Sequence, residues 1–301
     1  MVDSAFAEIY IRDRRTSDRD PRMTRTPLVP DAARIGRTAL TVADLEATAA
    51  FYRDVVGLSV LAETETTATL GVDGTALLVL RRDDDAPPRT DDRAGLFHNA
   101  FRVPSRAALG ATLERIRDRS ELSGASDHYV SEALYLADPE GNGVEVYADR
   151  PRAEWPRTED GKIGIGTVSL DLDDLVSASD GAAAAPPGTT VGHVHLEATS
   201  LSASRAFYAD TLGLQVQTES PSALFLAAGD YHHHLGVNVW NGRSRPADGR
   251  GVAWFEFLVP DEATLTTVRR GLAAADASVT EREAGFEVED PSGIAVRFRA
   301  E

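Results

Sequence analysis

Hydrophobic positions switch between helical and strand spacing in a pattern that occurs four times along the chain. Residues 44–56 and 105–118 carry apolar side chains at helical spacing, and Gly57 ends the first of these segments. Short apolar segments rich in residues that favour sheets follow each predicted helix, among them residues 76–80 and 143–147. We therefore predict four βαβββ modules, at about residues 35–84, 94–149, 190–242 and 250–300.

The chain is a tandem duplication. The segment Leu40–Leu58 recurs as Leu196–Leu214, an offset of 156 residues. Near the end of each half, Asp138-Pro-Glu-Gly returns as Asp290-Pro-Ser-Gly, where the offset is 152 residues. Repetition at a fixed period indicates repeated structural units.

These patterns divide the chain into a tail, two halves and a linker. Each half should form a domain of two modules, and the Gly-, Ala- and Pro-rich segment between the halves is typical of a linker. The predicted boundaries are a disordered tail at residues 1–33, a first domain at 34–150, a linker at 151–189 and a second domain at 190–301.

Composition narrows the function classes. The 48 acidic and 31 basic residues leave a net charge of −17, which disfavours binding to nucleic acid or to anionic membranes. Arginine supplies nearly all of the positive charge, since Lys162 is the sole lysine, and such an acidic surface is typical of proteins from salt-adapted organisms. The sequence has no cysteine, no signal peptide and no apolar run long enough to span a membrane, so we expect a cytoplasmic protein.

Two motifs carry a family resemblance. The Phe-Tyr-x-Asp-x-x-Gly-Leu helix end marks modules one and three, and the Asp-Pro-x-Gly turn marks modules two and four. Together they resemble the vicinal oxygen chelate superfamily, whose βαβββ modules pair into a cup that binds a divalent metal. The resemblance implies an α+β chain with a tandem glyoxalase/bleomycin-resistance/dioxygenase-type fold. The segments Gly192–Leu196, Tyr231–Asn238 and Ser131–Tyr147 are similar to the catechol 2,3-dioxygenase branch.

The resemblance also implies a ligand set, because the family's ligands lie at the start of a module's first strand and on its last strand. The residues at these places in modules two and three are His98, Glu145 and His193. The corresponding residues of modules one and four are Arg37, Trp254 and Arg297, which leave those modules without a metal. Two histidines and one carboxylate form the ligand set of non-haem Fe(II) oxygenases, with Mn(II) as the alternative metal.

Two questions about this ligand set stay open in the sequence. Modules two and three must share one cup if these ligands are to meet, whereas related enzymes close a cup within each half. His195 competes with His193 for its ligand position, because alternate residues of a strand face the same side. The family pattern favours His193.

Ring cleavage also needs groups that take a proton from the substrate and return one. The resemblance implies His233 for this task, with His234 as the runner-up. We expect residues 232–234 on the last strand of module three, where alternation puts His232 and His234 on the face opposite His233. Tyr135, ten residues before Glu145, matches a family tyrosine that hydrogen-bonds the substrate, and His128 matches a substrate-contacting histidine at a slightly different spacing.

The sequence thus predicts an extradiol ring-cleaving dioxygenase that acts on a catechol-type aromatic with O2. Two alternatives stay open: a glyoxalase-like metal-dependent isomerase and a non-catalytic small-molecule binding protein. The isomerase needs a second carboxylate ligand, which the last strand of module three lacks. The sequence does not decide whether the chain forms a homo-oligomer.

Overall fold

The computed structural model describes residues 27–159 and 161–301. Each module has four strands, with a helix between the first strand and the other three, so the predicted α+β class and module pattern are confirmed. The strands of module one are β1 (Arg34–Val42), β2 (Ser59–Glu63), β3 (Thr67–Val72) and β4 (Thr75–Arg82). Those of module two are β5 (Gly95–Val103), β6 (Gly124–Asp127), β7 (Ser131–Ala137) and β8 (Gly143–Asp149).

The second half repeats this arrangement. A short strand of the linker, β9 (Val168–Ser169), comes first. The strands of module three are β10 (Thr190–Glu197), β11 (Gln215–Ser220), β12 (Ala223–Ala227) and β13 (Leu235–Asn238). Those of module four are β14 (Gly251–Val259), β15 (Thr280–Arg282), β16 (Gly285–Glu289) and β17 (Ala295–Ala300).

Helices begin at side-chain caps that the sequence supplies. The helices are α1 (Leu45–Phe51), α2 (Arg106–Arg119), α3 (Leu172–Ser177), α4 (Leu201–Arg205) and α5 (Glu262–Ala274), with a 3-10 turn at Arg152–Glu154. Asp44, Ser105 and Asp261 each accept a hydrogen bond from a backbone N–H of the first turn, which satisfies a group that the helix leaves unpaired. α1 and α4 continue as π-helical turns, Tyr52–Val56 and Ala206–Thr211.

The four modules form two sheets, and each sheet joins one module from each half. Among the described residues, an eight-stranded sheet has the order β15-β16-β17-β14-β1-β4-β3-β2 and contains modules one and four. A nine-stranded sheet has the order β11-β12-β13-β10-β5-β8-β7-β6-β9 and contains modules two and three. We call the concave face of the second sheet the metal cup and that of the first sheet the arginine cup. The pairing of module two with module three is the one that the implied ligand set requires.

One buried hydrogen bond ties the two modules of each half together. The hydroxyl of Tyr52 donates to Asp138 at 3.2 Å, and that of Tyr208 donates to Asp290 at 2.8 Å. Both tyrosines are fully buried. The Phe-Tyr helix end and the Asp-Pro-x-Gly turn therefore recur together because they are two sides of one contact.

The linker and part of the predicted tail pack against the modules. Trp155 and Ile163 of the linker join Val130 of module two and Tyr231 of module three in one buried cluster. Before β1, Val29 is buried and its N–H donates to the carbonyl of Leu212 at 2.9 Å. Residues 27–33 are thus held on the second half, whereas residues 1–26 of the predicted tail lie outside the described residues.

No helix in the described part of the chain is long and apolar enough to cross a membrane.

Candidate metal centre

Three neighbouring strands bring the predicted ligands together around one small residue. Ala100 on β5 lies beside Glu145 of β8 on one side and beside His193 of β10 on the other. His98 is two residues from Ala100 on the same strand, so its side chain points to the same face of the sheet. The methyl group of Ala100 leaves room above it for the three longer side chains to converge.

The donor atoms of the three side chains lie within bonding distance of one point. His98 Nε2 is 2.9 Å from Glu145 Oε2, His193 Nε2 is 3.1 Å from the same oxygen, and the two Nε2 atoms are 3.3 Å apart. In the described residues this is the one group of three or more such side chains that could hold a metal ion. Their relative exposure is 6%, 3% and 2% for His98, Glu145 and His193, so the group is shielded from bulk water.

The spacing fits a single metal ion with open coordination positions. With bonds of about 2.0–2.2 Å, ligands at right angles are about 2.8–3.1 Å apart, and tetrahedral ligands about 3.3–3.6 Å apart. The separations of 2.9, 3.1 and 3.3 Å are on the whole closer to the right-angle values. Three ligands at right angles occupy one face of an octahedron and leave the opposite face free.

The electrostatic state of the group suits a cation. Burial lowers the pKa of His193 to about 4, against the attraction of the Glu145 carboxylate, so this imidazole is neutral at pH 7. Burial alone would raise the pKa of Glu145, but the adjacent His193 and His98 lower it well below its usual value. A neutral imidazole and an ionised carboxylate are the protonation states in which His193 and Glu145 can bind a divalent metal.

His195, the competitor for the His193 position, has another partner. Its ring lies 4.9 Å from that of His98, but its Nε2 accepts a hydrogen bond from Asn238 Nδ2 at 3.1 Å. Asn238 is fully buried. The structure therefore brings His193, rather than His195, to His98 and Glu145.

His233 lies beside the triad as part of a hydrogen-bonded chain. Its ring centroid is 4.1 Å from that of His193. Its Nδ1 is 2.8 Å from Nδ1 of His232, and Nε2 of His232 is 3.0 Å from an oxygen of Asp149.

The expectation that alternation separates His232 from His233 is wrong, because these residues precede β13, which begins at Leu235. His234, the runner-up, accepts a hydrogen bond from the N–H of Ala228 through its Nδ1.

His128 and Tyr135 form a hydrogen-bonded pair at the edge of the triad. His128 Nε2 is 2.6 Å from the Tyr135 hydroxyl, and His128 Nδ1 is 2.7 Å from the carbonyl oxygen of Gly166 in the linker. Because a carbonyl only accepts, Nδ1 carries the proton of a neutral His128, and Nε2 accepts from the tyrosine. Burial raises the pKa of Tyr135 well above its usual value, which keeps the hydroxyl protonated. The Tyr135 ring lies 5.7 Å from that of His98.

The arginine cup holds different residues at the equivalent places. Arg37 donates to Glu256 at 2.8 Å, and Arg299 also pairs with this buried carboxylate. The guanidinium of Arg297 lies 4.1 Å from the ring centroid of Trp254, and that of Arg37 lies 5.6 Å from it. Two of the three residues that replace the ligands, Arg37 and Arg297, thus bring positive charge to this cup and pack against the third, Trp254.

Several residues of the metal cup were not identified from the sequence. They are Asp149, His232, Asn238, Phe97, Phe225 and Trp240. Asp149 could have been found, since it lies four residues beyond Glu145 and therefore on the same face of β8. The aromatic residues carry no local signal, because a phenylalanine in a strand is equally typical of a core.

Comparisons with known proteins agree with this architecture. The Glyoxalase/Bleomycin resistance protein/Dioxygenase superfamily model matches residues 34–146 and 190–298. Catechol-2,3-dioxygenase of Bacillus subtilis (strain 168) is 37% identical over 274 residues, which are 88% of this chain and 96% of that protein. The resemblance to the superfamily and to its catechol 2,3-dioxygenase branch is confirmed.

Solved structures at lower identity share the fold. Glyoxalase I from Zea mays has a TM-score of 0.57 at 16% identity, covering 89% of this chain and 92% of its own. The cppA protein from Streptococcus pneumoniae TIGR4 has a TM-score of 0.52 at 13% identity, covering 89% of this chain and 99% of its own. With four repeated modules and a family model that matches most of both halves, the chain belongs to the glyoxalase, bleomycin resistance protein and dioxygenase superfamily.

Proposed function

We propose that this protein is an extradiol dioxygenase that opens a catechol-type ring with O2, using Fe(II) held by His98, Glu145 and His193. The observation that carries the proposal is the convergence of two imidazole nitrogens and one carboxylate oxygen within 2.9–3.3 Å of one another. The 37% identity to a catechol-2,3-dioxygenase over most of the chain supports the same reaction class. Mn(II) suits the same ligands and is the alternative metal.

The metal, when bound, would bring both catechol oxygens and O2 together and would relay electrons from the catechol to O2. The protein supplies the positions of these partners. His98, Glu145 and His193 would hold the metal with three protein donors, which would leave positions for a bidentate substrate and O2. The buried setting keeps bulk water away, which strengthens every charge interaction within the cup.

Two sets of residues could handle protons next to the metal. His233 lies beside His193, with its ring 4.1 Å away, and is suited to take a proton from a catechol hydroxyl. Tyr135 lies beside His98 and keeps its hydroxyl proton, which it donates to His128. The two sets are therefore associated with different ligands of the same triad, so that a proton could be taken near one and returned near the other.

The aromatic side chains beside His195 fit a flat apolar substrate. Phe97 packs edge-on against His195 at 5.0 Å and against Trp240 at 5.2 Å. Phe225 lies 5.7 Å from His195 and 5.1 Å from His233. Trp240 is 41% exposed, which is unusual for so large an apolar side chain. These rings favour an aromatic ligand that reaches the triad past Trp240.

A glyoxalase-like isomerase is less well supported by the site. That reaction uses a further carboxylate at the metal, and in the described residues no second acidic side chain joins the group of His98, Glu145 and His193. The structural likeness to glyoxalase I shows the fold alone.

The test begins with protein purified without oxygen and loaded with Fe(II). Elemental analysis should give about one iron per chain, and catechols should then produce O2 uptake and a yellow ring-cleavage product. Protein that carries iron but consumes no O2 with any of a panel of catechols and hydroquinones would contradict the proposal. Turnover of methylglyoxal with a thiol and Ni(II) or Zn(II) would instead support the isomerase.

A further inference from the structure

The hydrogen-bonded chain from Asp149 through His232 to His233 has a direction that the chemistry of its groups determines. An ionised carboxylate accepts hydrogen bonds and does not donate them. Although burial acts in the opposite sense, the hydrogen bond from His232 and the nearby positive charge of Arg102 lower the pKa of Asp149, so this carboxylate is ionised. The 3.0 Å contact to Asp149 therefore requires a proton on Nε2 of His232.

This first proton fixes the next two positions. In the neutral form of His232 the single N–H lies on Nε2, so Nδ1 is left as an acceptor. The 2.8 Å contact between the two Nδ1 atoms then requires that His233 donate its Nδ1 proton. The remaining nitrogen of His233, Nε2, keeps its lone pair.

We propose that Asp149 and His232 are positioning residues that set the tautomer of His233, so that its Nε2 is the atom that accepts the substrate's proton. This inference rests on the proposed function and adds two residues to it. His232 is fully buried, its ring packs against those of Tyr231 at 4.0 Å and Trp155 at 5.2 Å, and it is thus held in one orientation.

The hydrogen bonds around Asp149 determine what happens when one of its carboxylate oxygens is replaced by an amide nitrogen. One carboxylate oxygen faces His232, and the other faces Arg102 Nη1 at 3.3 Å. The Tyr231 hydroxyl is 3.2 Å from both oxygens. An arginine only donates, so in Asp149→Asn the amide oxygen must face Arg102 and the amide NH2 must face His232.

The substitution therefore reverses the whole chain. An amide NH2 at Nε2 of His232 requires a lone pair there, which moves the His232 proton to Nδ1. His233 Nδ1 then becomes an acceptor, and the His233 proton moves to Nε2, where it blocks proton uptake from the substrate. His232→Phe keeps an aromatic ring but removes both nitrogens, so it leaves the His233 tautomer unconstrained.

The direct test is 15N NMR of the Zn(II)-loaded protein with labelled histidine, with His233 assigned by the loss of its signals in His233→Gln. We expect the Nδ1–H tautomer in the parent protein, the Nε2–H tautomer in Asp149→Asn and a mixture in His232→Phe. An Nε2–H tautomer of His233 in the parent, or the same tautomer in all three proteins, would overturn the proposal. This measurement needs neither iron nor turnover.

Kinetics of the Fe(II)-loaded protein give the second readout. We expect kcat of Asp149→Asn to fall about 100-fold, within the usual contribution of a general base, while KM and iron content stay near those of the parent. The kcat of His232→Phe should lie between that of the parent and that of Asp149→Asn. The matched control is Glu301→Gln, since Glu301 occupies the place of Asp149 in module four, 152 residues later, and pairs with the exposed Arg34.

The outcomes separate the two proposals. If the iron-loaded parent cleaves no catechol, the proposed function fails, and the NMR result still decides the tautomer. If the parent is active and both variants keep its kcat, the positioning role is wrong. If kcat and iron content fall while KM rises, Asp149 and His232 are merely structural, and the positioning role is again wrong.

Discussion

The metal cup and the arginine cup are built from equivalent strands in the same order, apart from the linker strand β9. The side chains at their centres nevertheless differ, with metal ligands in one cup and arginines in the other. In the metal cup, Ala100 leaves space between Glu145 and His193. In the arginine cup, the equivalent residue is Glu256, 156 positions later, and its carboxylate fills that space and pairs with Arg37. Glu145 and Glu256 are both nearly fully buried, but Glu145 faces imidazoles and Glu256 faces guanidinium groups.

The two cups of this duplicated fold differ in whether their side chains can bind a cation. A neutral imidazole can donate a nitrogen lone pair to a metal, whereas arginine stays protonated and repels a cation. In the arginine cup, Arg37 and Arg299 pair with Glu256, and Arg297 pairs with Glu287. The metal cup instead brings two imidazole nitrogens and one carboxylate oxygen within 3.3 Å of one another in a buried place, where a cation could bind all three.

The largest effect is expected from removing the acid of the metal cup. Glu145→Ala deletes the sole carboxylate of the triad, so iron content should fall to background and turnover should be lost. Elemental analysis after anaerobic purification, followed by O2 uptake with catechol, measures both. A variant that kept its iron and activity would show that the ligands have been misassigned.

Tyr135 gives the next largest effect. Tyr135→Phe removes the hydroxyl that donates to His128, and we expect kcat to fall about 100-fold with iron retained, because proton transfer typically contributes that much. The equivalent residue of the arginine cup is Glu287, which pairs with Arg297 at 2.7 Å. Glu287→Gln is the control and should keep the parental kcat. Equal losses in the two variants would mean that the cups are not functionally distinct.

The acid of the arginine cup should matter for stability alone. Glu256→Gln leaves Arg37 and Arg299 without their carboxylate and should lower the free energy of unfolding by about 2 kcal/mol. The cost is moderate because both arginine side chains are about one-third exposed, at 31% and 30%. Denaturant unfolding measures the loss. Iron content and kcat should stay unchanged, and a loss of iron in this variant would contradict the division of tasks.

The smallest effect should be the same in both halves. Tyr52→Phe and Tyr208→Phe each remove one hydrogen bond to a buried aspartate, and each should cost about 1 kcal/mol of unfolding free energy. The two aspartates keep other partners, such as the backbone N–H groups of Asn142 and Ile294. Thermal unfolding of both variants gives the comparison. A large difference between them would mean that this contact is not equivalent in the two halves.

Much of this architecture could be predicted because the sequence repeats. Module boundaries follow from the recurrence of Leu40–Leu58 as Leu196–Leu214, and that recurrence aligns His193 with Arg37. Together with the ligand positions that the family resemblance implies, this alignment was enough to propose a triad drawn from two modules. Its convergence in space depends on the pairing of β5 with β10, which no local pattern specifies.

The features that escaped prediction depend on contacts between distant segments. The linker was expected to be a spacer, but its Gly166 carbonyl orients His128 and its Trp155 packs on His232. Residues 232–234 look like the start of a strand, because they lead directly into apolar positions. They form a turn instead, which allows His232 to reach Asp149 on another module. Local periodicity carries no information about such contacts.

The most direct test of the difference between the cups is anomalous diffraction at the iron edge from crystals of the Fe(II)-loaded protein. The account predicts one anomalous peak per chain, lying between His98, Glu145 and His193, and none in the arginine cup. A peak beside Glu256, or iron bound away from these three side chains, would contradict it.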